Sequence, residues 1–372
     1  DEMHFQEQDQ IVLVENVLST LQQLANYHRR KLNLKVLAIG GSNGKTTTKE
    51  LIYRVLETSF KTFSTKGNFN NHIGVPLTLL SIAKGTEIAV IEMGANHLGE
   101  TAMLCEIAEP DYGIITNNGR DHLEGYGSIE GVRKGNGELY HFLRRKNGTA
   151  FVCADQPDLM EMSDGMKRIT YGKSENANCT GKIIRHFPFL NLQLRHANCE
   201  LPTQLIGQYN FDNIMAAVAI GEFFKVSPEN IQHAIASYVP SNNRSQLLQQ
   251  GYNTFILDAY NANPSSMQAA LESFSMMPAD NKVAILGDML ELGIVSKHEH
   301  EQVIAYVQKE KFSKVIFVGE EFGKAMKEAT TTAIHFKNVQ ELKKWFDQQH
   351  FSDHIFLLKG SRLIGLEKLV VG

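Results

Sequence analysis

The chain has little cysteine, and what it has is scattered. Cys105, Cys153, Cys179 and Cys199 form no C-x-x-C pair and sit in a chain of 372 residues, too large to need stapling. They read as reduced intracellular thiols. No apolar run approaches the roughly eighteen residues of a membrane span, and the opening Asp1-Glu2-Met3-His4-Phe5 lacks the layout of a signal peptide. There is no excess of basic charge either: a net charge of -4 and a pI near 6.4 leave no electrostatic footprint for nucleic acid or an anionic membrane. Internal repeats, low-complexity segments and the G-x-G-x-x-G dinucleotide fingerprint are also lacking. These absences point to a cytoplasmic protein whose partners are small molecules, with no nucleic acid and no membrane insertion; a monomer is the expectation, though none of these features fixes the oligomeric state.

What is present is an ordinary globular composition, 42% apolar and 21% charged, in a chain longer than one hydrophobic core usually spans. Two domains are expected. The most informative run is Gly40-Gly41-Ser42-Asn43-Gly44-Lys45-Thr46-Thr47-Thr48-Lys49-Glu50, which follows the apolar strand Val36 to Ile39 and opens a helix with Leu51, Ile52, Val55 and Leu56 on one face. In that context it reads as a phosphate-binding loop. Glycines let backbone N–H groups curl around phosphate oxygens, Lys45 supplies a point charge, and the Thr46 hydroxyl suits Mg²⁺. The spacing is a variant, because Ile39 stands where the first glycine of G-x-x-x-x-G-K-[ST] belongs and Gly40 follows one residue late. A ligand-free turn would also suit Gly-Lys-Thr, but the strand before and the helix behind favour a nucleoside triphosphate.

Along the chain, residues 11 to 14 suggest a short strand, and a helix is expected from Asn16 to Arg30 with Leu18, Leu21, Leu24 and Ala25 on its apolar face. Strand-like runs at Val36–Ile39, Ile88–Ile91, Tyr112–Thr116 and Thr149–Cys153 alternate with helical stretches at 45–58 and 129–145, as in a parallel α/β sheet. Residues 165 to 205 look like a small antiparallel appendage. After a helix at Asn210–Phe224, Pro240-Ser241-Asn242-Asn243-Arg244 reads as a hinge. Strands at 254–258, 282–286, 314–318, 333–336 and 354–358 then alternate with helices, the pattern of a doubly wound domain. The expected division is 1–24 as an N-terminal remnant or linker, 25–239 as a central ATP-binding domain and 240–372 as a C-terminal domain.

Two further strand ends carry candidate ligands. Glu92 follows Ile88-Ala89-Val90-Ile91, and His122 follows the strand ending at Ile115; both then lie at the carboxyl edge of the sheet, beside the phosphate loop. A carboxylate there suits Mg²⁺. The amide-rich Asn70-Asn71-His72-Ile73-Gly74-Val75-Pro76 could, on its own, be only a loop.

Taken together, the phosphate loop, the Asn70–Pro76 block, Glu92-Met93-Gly94-Ala95 and His122-Leu123-Glu124-Gly125-Tyr126-Gly127-Ser128 resemble the Mur ligases. Asn242-Asn243-Arg244-Ser245, Asp258-Ala259-Tyr260-Asn261-Ala262-Asn263-Pro264, Gly287-Asp288-Met289-Leu290-Glu291-Leu292-Gly293 and Lys359-Gly360-Ser361-Arg362 resemble the branch that adds D-alanyl-D-alanine. The resemblance implies an α/β fold with a central P-loop ATPase-type domain and a C-terminal Rossmann-like domain. It implies an ATP- and Mg²⁺-dependent ligase joining D-alanyl-D-alanine to UDP-N-acetylmuramoyl-tripeptide through an acyl phosphate. By position, Ser42, Asn43, Gly44, Lys45, Thr46 and Thr47 would cradle phosphates, with Arg244 reaching them from across the cleft. Asn213 would contact adenine and Asp258 the ribose side. Thr46, Glu92 and His122 would hold the metal, so that Lys45, Glu92, His122 and Arg244 form the catalytic set. Asn70, Asn71, His72, Tyr260, Asn261 and Asn263 would face the substrates.

The chain departs from the family pattern in three places. The resemblance implies an N-terminal domain that grips the UDP-sugar, for which there is no room ahead of residue 12, so the expectation is that this sequence is a fragment or that the domain is not included in it, with poor UDP binding. Asn136, in Gly131-Val132-Arg133-Lys134-Gly135-Asn136-Gly137, occupies the place the resemblance gives to a carbamylated lysine that helps hold a second Mg²⁺; Lys134 lies about 200° around the helix and cannot substitute. Gly40 replaces a threonine. A catalytically weakened nucleotide-binding domain and a folylpolyglutamate synthase-type ligase are therefore the rival readings.

Overall fold

The computed structural model describes residues 12–195 and 199–370. Its core is a nine-stranded sheet, with strands β1 Lys35–Gly40, β2 Thr62–Ser64, β3 Ile88–Glu92, β4 Tyr112–Ile115, β5 Thr149–Cys153, β6 Lys167–Gly172, β7 Cys179–Arg185, β8 Asn191–Leu194 and β9 Cys199–Pro202. The order is β2-β3-β1-β4-β5-β6-β7-β8-β9. All pairs as far as β7 are parallel, and β8 and β9 return antiparallel. Central strands of a parallel sheet are covered on both faces, which is why β1 and β3 are continuous apolar runs whose residues 36–39 and 88–91 are buried. From β1 the chain first builds outward through β2 and β3, then crosses to β4 on the other side. The crevice beyond the carboxyl end of β1 is therefore the topological switch point where ligands bind.

A second sheet follows, with β10 Gln246–Gln250, β11 Asn253–Asp258, β12 Lys282–Gly287, β13 Lys314–Val318, β14 Ile334–Phe336 and β15 Ile355–Lys359, in the order β10-β11-β15-β12-β13-β14. Only the β10–β11 hairpin is antiparallel. Its apolar residues form two clusters, one on each side of the sheet, with Leu271, Phe317 and Phe322 in one and Phe356, Leu358 and Leu342 in the other. The register that sets Asp258 beside Lys359 brings two strand ends to one point.

Three expectations are corrected. Residues 12–14 are exposed and irregular, and residue 11 lies outside the described residues. Residues 165–205 are no separate appendage: β6 pairs in parallel with β5 over Thr149↔Lys167 to Cys153↔Tyr171, so the region extends the main sheet and turns antiparallel only at β8. The helix Val17–Leu32 forms, capped by Asn16, whose side chain accepts from Ser19 N at 2.8 Å, but Leu18 and Leu24 stay exposed while Ala25 and Arg29 are buried. Arg29 is what docks it: the guanidinium donates to the Ala108 and Glu109 carbonyls and to Asp111.

His300 is a fully buried histidine in the helix Ser296–Val307, accepting from Met289 N at 3.1 Å through Nε2, with Nδ1 2.7 Å from the Ser296 carbonyl. Burial pulls the imidazole below its ordinary value of 6.5 despite the Ser296 carbonyl and the neighbouring carboxylates of Asp288, Glu321 and Glu299. Its folded-state value thus lies under the unfolded one, so the stability it contributes is complete above about pH 6.5 and is lost as pH falls through the folded value. Melting temperatures between about pH 7.5 and about pH 5 should fall less steeply in His300→Gln than in the wild type.

Candidate active site

The carboxyl ends of the two sheets face one cavity of about 670 Å³. Strands β1, β3 and β4 contribute the loop Ser42–Thr47, Glu92 and the segment Asn117–His122; β11 and β15 contribute Asp258–Asn263 and Lys359.

The phosphate loop is held in shape by two left-handed glycines. Gly41 has φ 110° and a Cβ there would lie 2.4 Å from Thr116 Oγ1; Gly44 has φ 83° and its Cβ would meet Asn213 Oδ1 at 2.6 Å. Only glycine fits either position. Gly44 caps the helix Lys45–Leu56, so free N–H groups and the positive end of the helix dipole face the cavity. Cross-links fix the rest: Ser42 Oγ donates to Asp121 Oδ1 at 2.5 Å and accepts from Gly119 N, while Asn43 N donates to Asn117 Oδ1 at 3.1 Å. Lys45 Nζ donates to the Gly41 and Ser42 carbonyls at 2.5 and 3.0 Å. Burial holds its pKa below the usual lysine value, with Arg244 adding in the same sense against the pull of Asp121 and Glu92.

Glu92 is 2% exposed. Its Oε1 accepts from Thr46 Oγ1 at 3.2 Å and from Asn70 Nδ2 at 2.9 Å, whereas its buried Oε2 has no hydrogen-bond partner among the described residues and lies 3.7 Å from Lys49 Nζ. A buried carboxylate oxygen without a donor, next to a threonine hydroxyl and a phosphate loop, fits a Mg²⁺ ligand. His122 lies on the same cavity wall in a left-handed conformation; its Nδ1 is 2.6 Å from Glu291 Oε2, which leaves Nε2 as the available ring nitrogen.

The other expected residues also line this cavity, with duties of their own. Asn213 bridges Thr48 and Asn210 at 3.0 and 2.9 Å. Asn71 caps the turn into the helix Gly74–Leu80 by accepting from Ile73 N and Gly74 N, and the carbonyl of the adjacent His72 accepts from Gln22. Asp258 is paired with Lys359 at 2.6 Å and accepts from Ser245 N. Arg244 stacks on the Tyr260 ring at 3.9 Å with its buried Nε unpartnered. Asn261 accepts from Ala262 N with its own side chain. Asn263 caps the helix Pro264–Ser275 and donates to Asn43 Oδ1 at 2.8 Å, tying the second sheet to the phosphate loop. Arg244 and Asp258 share the cavity with Lys45. Asn136 is buried directly behind the cavity wall: it donates at 2.9 Å to Oδ1 of Asn118, which lines the cavity, and Asn118 donates to Asp158 at 2.6 Å, while Lys134 is exposed.

Sequence reasoning missed Asp121, Asn117, Lys49 and Lys359, which brace the candidate ligands. Asp121 and Asn117 sit in Asn117-Asn118-Gly119-Arg120-Asp121, between the strand ending at Ile115 and His122, where a polar run after a strand end was the available signal. Lys49 carried none, because its burial against Glu92 depends on the helix face.

The arrangement is that of a nucleotide-dependent ligase built on a phosphate loop and a second lobe that reaches it. Family comparison gives the class: residues 39–221 match the Mur ligase middle domain and residues 243–362 the Mur ligase glutamate ligase domain, and the chain belongs to the Mur ligase family. More particularly, it is 32% identical to the UDP-N-acetylmuramoyl-tripeptide--D-alanyl-D-alanine ligase of Bacillus subtilis, over 97% of this chain and 80% of that protein. Among solved structures it is similar to MurF from Acinetobacter baumannii (TM-score 0.87, 31% identity, 96% of this chain and 80% of that one). It is also similar to MurF ligase from Thermotoga maritima in complex with ADP (TM-score 0.86, 27% identity, 98% and 85%). A folylpolyglutamate synthase from Mycobacterium tuberculosis, at 15% identity, TM-score 0.69 and coverage of 93% and 92%, shares the fold alone. Among the described residues no helix is long and apolar enough to cross a membrane.

Because Asn263 is both a helix cap and the bridge to Asn43, Asn263→Ala should lower unfolding stability by about 1 kcal/mol, read from urea midpoints. It should also raise the KM for ATP, since the loop loses its brace from the second sheet. An unchanged midpoint and KM would remove both roles.

Proposed function

We propose that this chain joins D-alanyl-D-alanine to UDP-N-acetylmuramoyl-tripeptide with cleavage of ATP, in the cytoplasmic synthesis of peptidoglycan precursors. The observation that carries the reading is the convergence of the phosphate loop and the Asp258–Asn263 segment on one cavity, with a buried and underused Glu92 oxygen between them. Residues 25–239 then serve as the ATP-binding domain and 240–372 as the domain that presents the amine. Four free cysteines agree with a reducing compartment.

In this reading the loop amides and the amino end of the helix at Lys45 hold the phosphates, Lys45 and Arg244 carry positive charge toward the transferring group, and Asn213 lies against the base. Mg²⁺ would be held by Thr46, Glu92 and His122, and supplies neutralisation of the phosphate oxygens. An oxygen of the tripeptide carboxylate attacks the γ-phosphorus and ADP leaves. The dipeptide amine then attacks the acyl carbon, phosphate departs with the carboxylate oxygen, and the nitrogen loses a proton as the amide forms. Asn70, Asn71 and His72 face the acid, and Tyr260, Asn261 and Asn263 the incoming amine. A folylpolyglutamate synthase-type activity has weaker support, because the relative at 32% identity carries the D-alanyl-D-alanine name and the synthase shares only fold.

The weakened-domain reading rests on Asn136. Its amide is committed to the relay through Asn118 to Asp158, which steadies the turn that carries Gly119 and Asp121. Phosphate release that requires ATP, the tripeptide and D-alanyl-D-alanine together should therefore appear in the wild type and be lower in Asn136→Lys, which loses the relay; turnover confined to the lysine form would favour the weakened domain. Glu92→Gln should lower kcat by about 10²- to 10³-fold, as expected when one charge-stabilising group is removed.

A further inference from the structure

Cations around the cleft fall into two groups. Lys49 pairs with Glu92 and Glu50 at 3.7 and 3.9 Å, Lys359 with Asp258 at 2.6 Å, and Arg120 with Glu299 at 3.0 Å. Lys45, Arg244 and Arg362 have no carboxylate within ion-pair distance among the described residues. Lys45 and Arg244 both line the cavity at the phosphate loop, which accounts for them. Arg362 is left over.

Arg362 stands outside that cluster. Its guanidinium lies 5.1 Å from the centre of the Tyr260 ring and its Nη1 3.5 Å from the Tyr260 hydroxyl, with the side chain exposed to solvent. Its backbone is fixed from both sides: the preceding Ser361 donates its N–H to the Asp288 carbonyl at 3.0 Å, accepts from Leu290 N at 3.0 Å and is 4% exposed. The side chain thus projects from the first residue of the short 3-10 turn Arg362–Ile364 that follows β15, and the tyrosine ring, itself part of the cavity wall, orients its planar fork. An unpaired, oriented guanidinium is suited to a carboxylate held bidentately.

We propose that Arg362 binds the terminal carboxylate of the incoming amine substrate, so that the site selects a short peptide with a free α-carboxylate. The proposal rests on the functional reading above. The amine end enters the cavity past Tyr260 while the anionic end stays at the rim, where a solvated ion pair needs no deep desolvation.

The test compares D-alanyl-D-alanine with D-alanyl-D-alaninamide, which lacks only the negative charge, in the wild type, Arg362→Gln and Arg362→Lys. The wild type should favour the acid in kcat/KM by about 2- to 5-fold, the range of a solvent-exposed ion pair. In Arg362→Gln the acid's KM should rise by a similar factor and the acid-to-amide ratio should collapse toward one, while the KM for ATP stays unchanged; Arg362→Lys should retain part of the preference. A merely structural arginine would depress acid and amide alike. A ratio in Arg362→Gln equal to that of the wild type overturns the proposal. If the wild type turns over neither compound but accepts another amine, the functional reading itself fails, and this assignment with it.

Discussion

The site depends on a carboxylate kept out of water. Burying an ionised group costs several kcal/mol unless its oxygens are satisfied, and Glu92 answers that cost with three side chains from two segments of chain. Thr46 comes from the phosphate loop, Asn70 from the amide-rich turn and Lys49 from the next turn of the same helix. Each of these contacts also positions its donor. The loop hydroxyl, the turn before the helix Gly74–Leu80 and the strand end of β3 are locked together by one side chain, and the oxygen left without a donor is the one free to bind a cation.

Around that point the second sheet is fastened by a few polar contacts, without a shared apolar core. Asn263 reaches Asn43, Ser265 accepts from Arg120 N at 2.7 Å, Arg120 pairs with Glu299, and His122 pairs with Glu291. The three apolar clusters otherwise divide between the sheets, apart from a few residues of 187–206 that pack on the second. Polar contacts of this kind contribute modestly in stability but are directional, so they fix where Arg244, Asp258 and Tyr260 stand relative to the loop.

Much of this was legible in the sequence because period and punctuation agree with the fold. Buried parallel strands read as unbroken apolar runs, and the loop after β1 combined glycines, a lysine and a helix start. The edge strand β14 was expected at 333–336, but two other edge elements were not legible. The strand β10, Gln-Leu-Leu-Gln-Gln, carries a weak alternation, and the three-residue β2 is too short to show a period. Residues 165–205 misled because alternation indicates a half-exposed strand and says nothing of the direction in which it pairs. Glu92 and His122 were found by their placement after strands, whereas Lys49 and Lys359 appeared only inside motifs and were given no role, since a buried lysine has the same sequence signature as an exposed one.

The central claim is that the cleft transfers a phosphoryl group to the acid substrate before the amide forms. The most direct test supplies the UDP-linked tripeptide with a heavy-oxygen-labelled carboxylate, together with ATP, Mg²⁺ and D-alanyl-D-alanine, and measures the mass of the phosphate released. Phosphate carrying one labelled oxygen is the predicted result, because the attacking carboxylate oxygen leaves with phosphorus. Unlabelled phosphate accompanying amide formation would contradict the account.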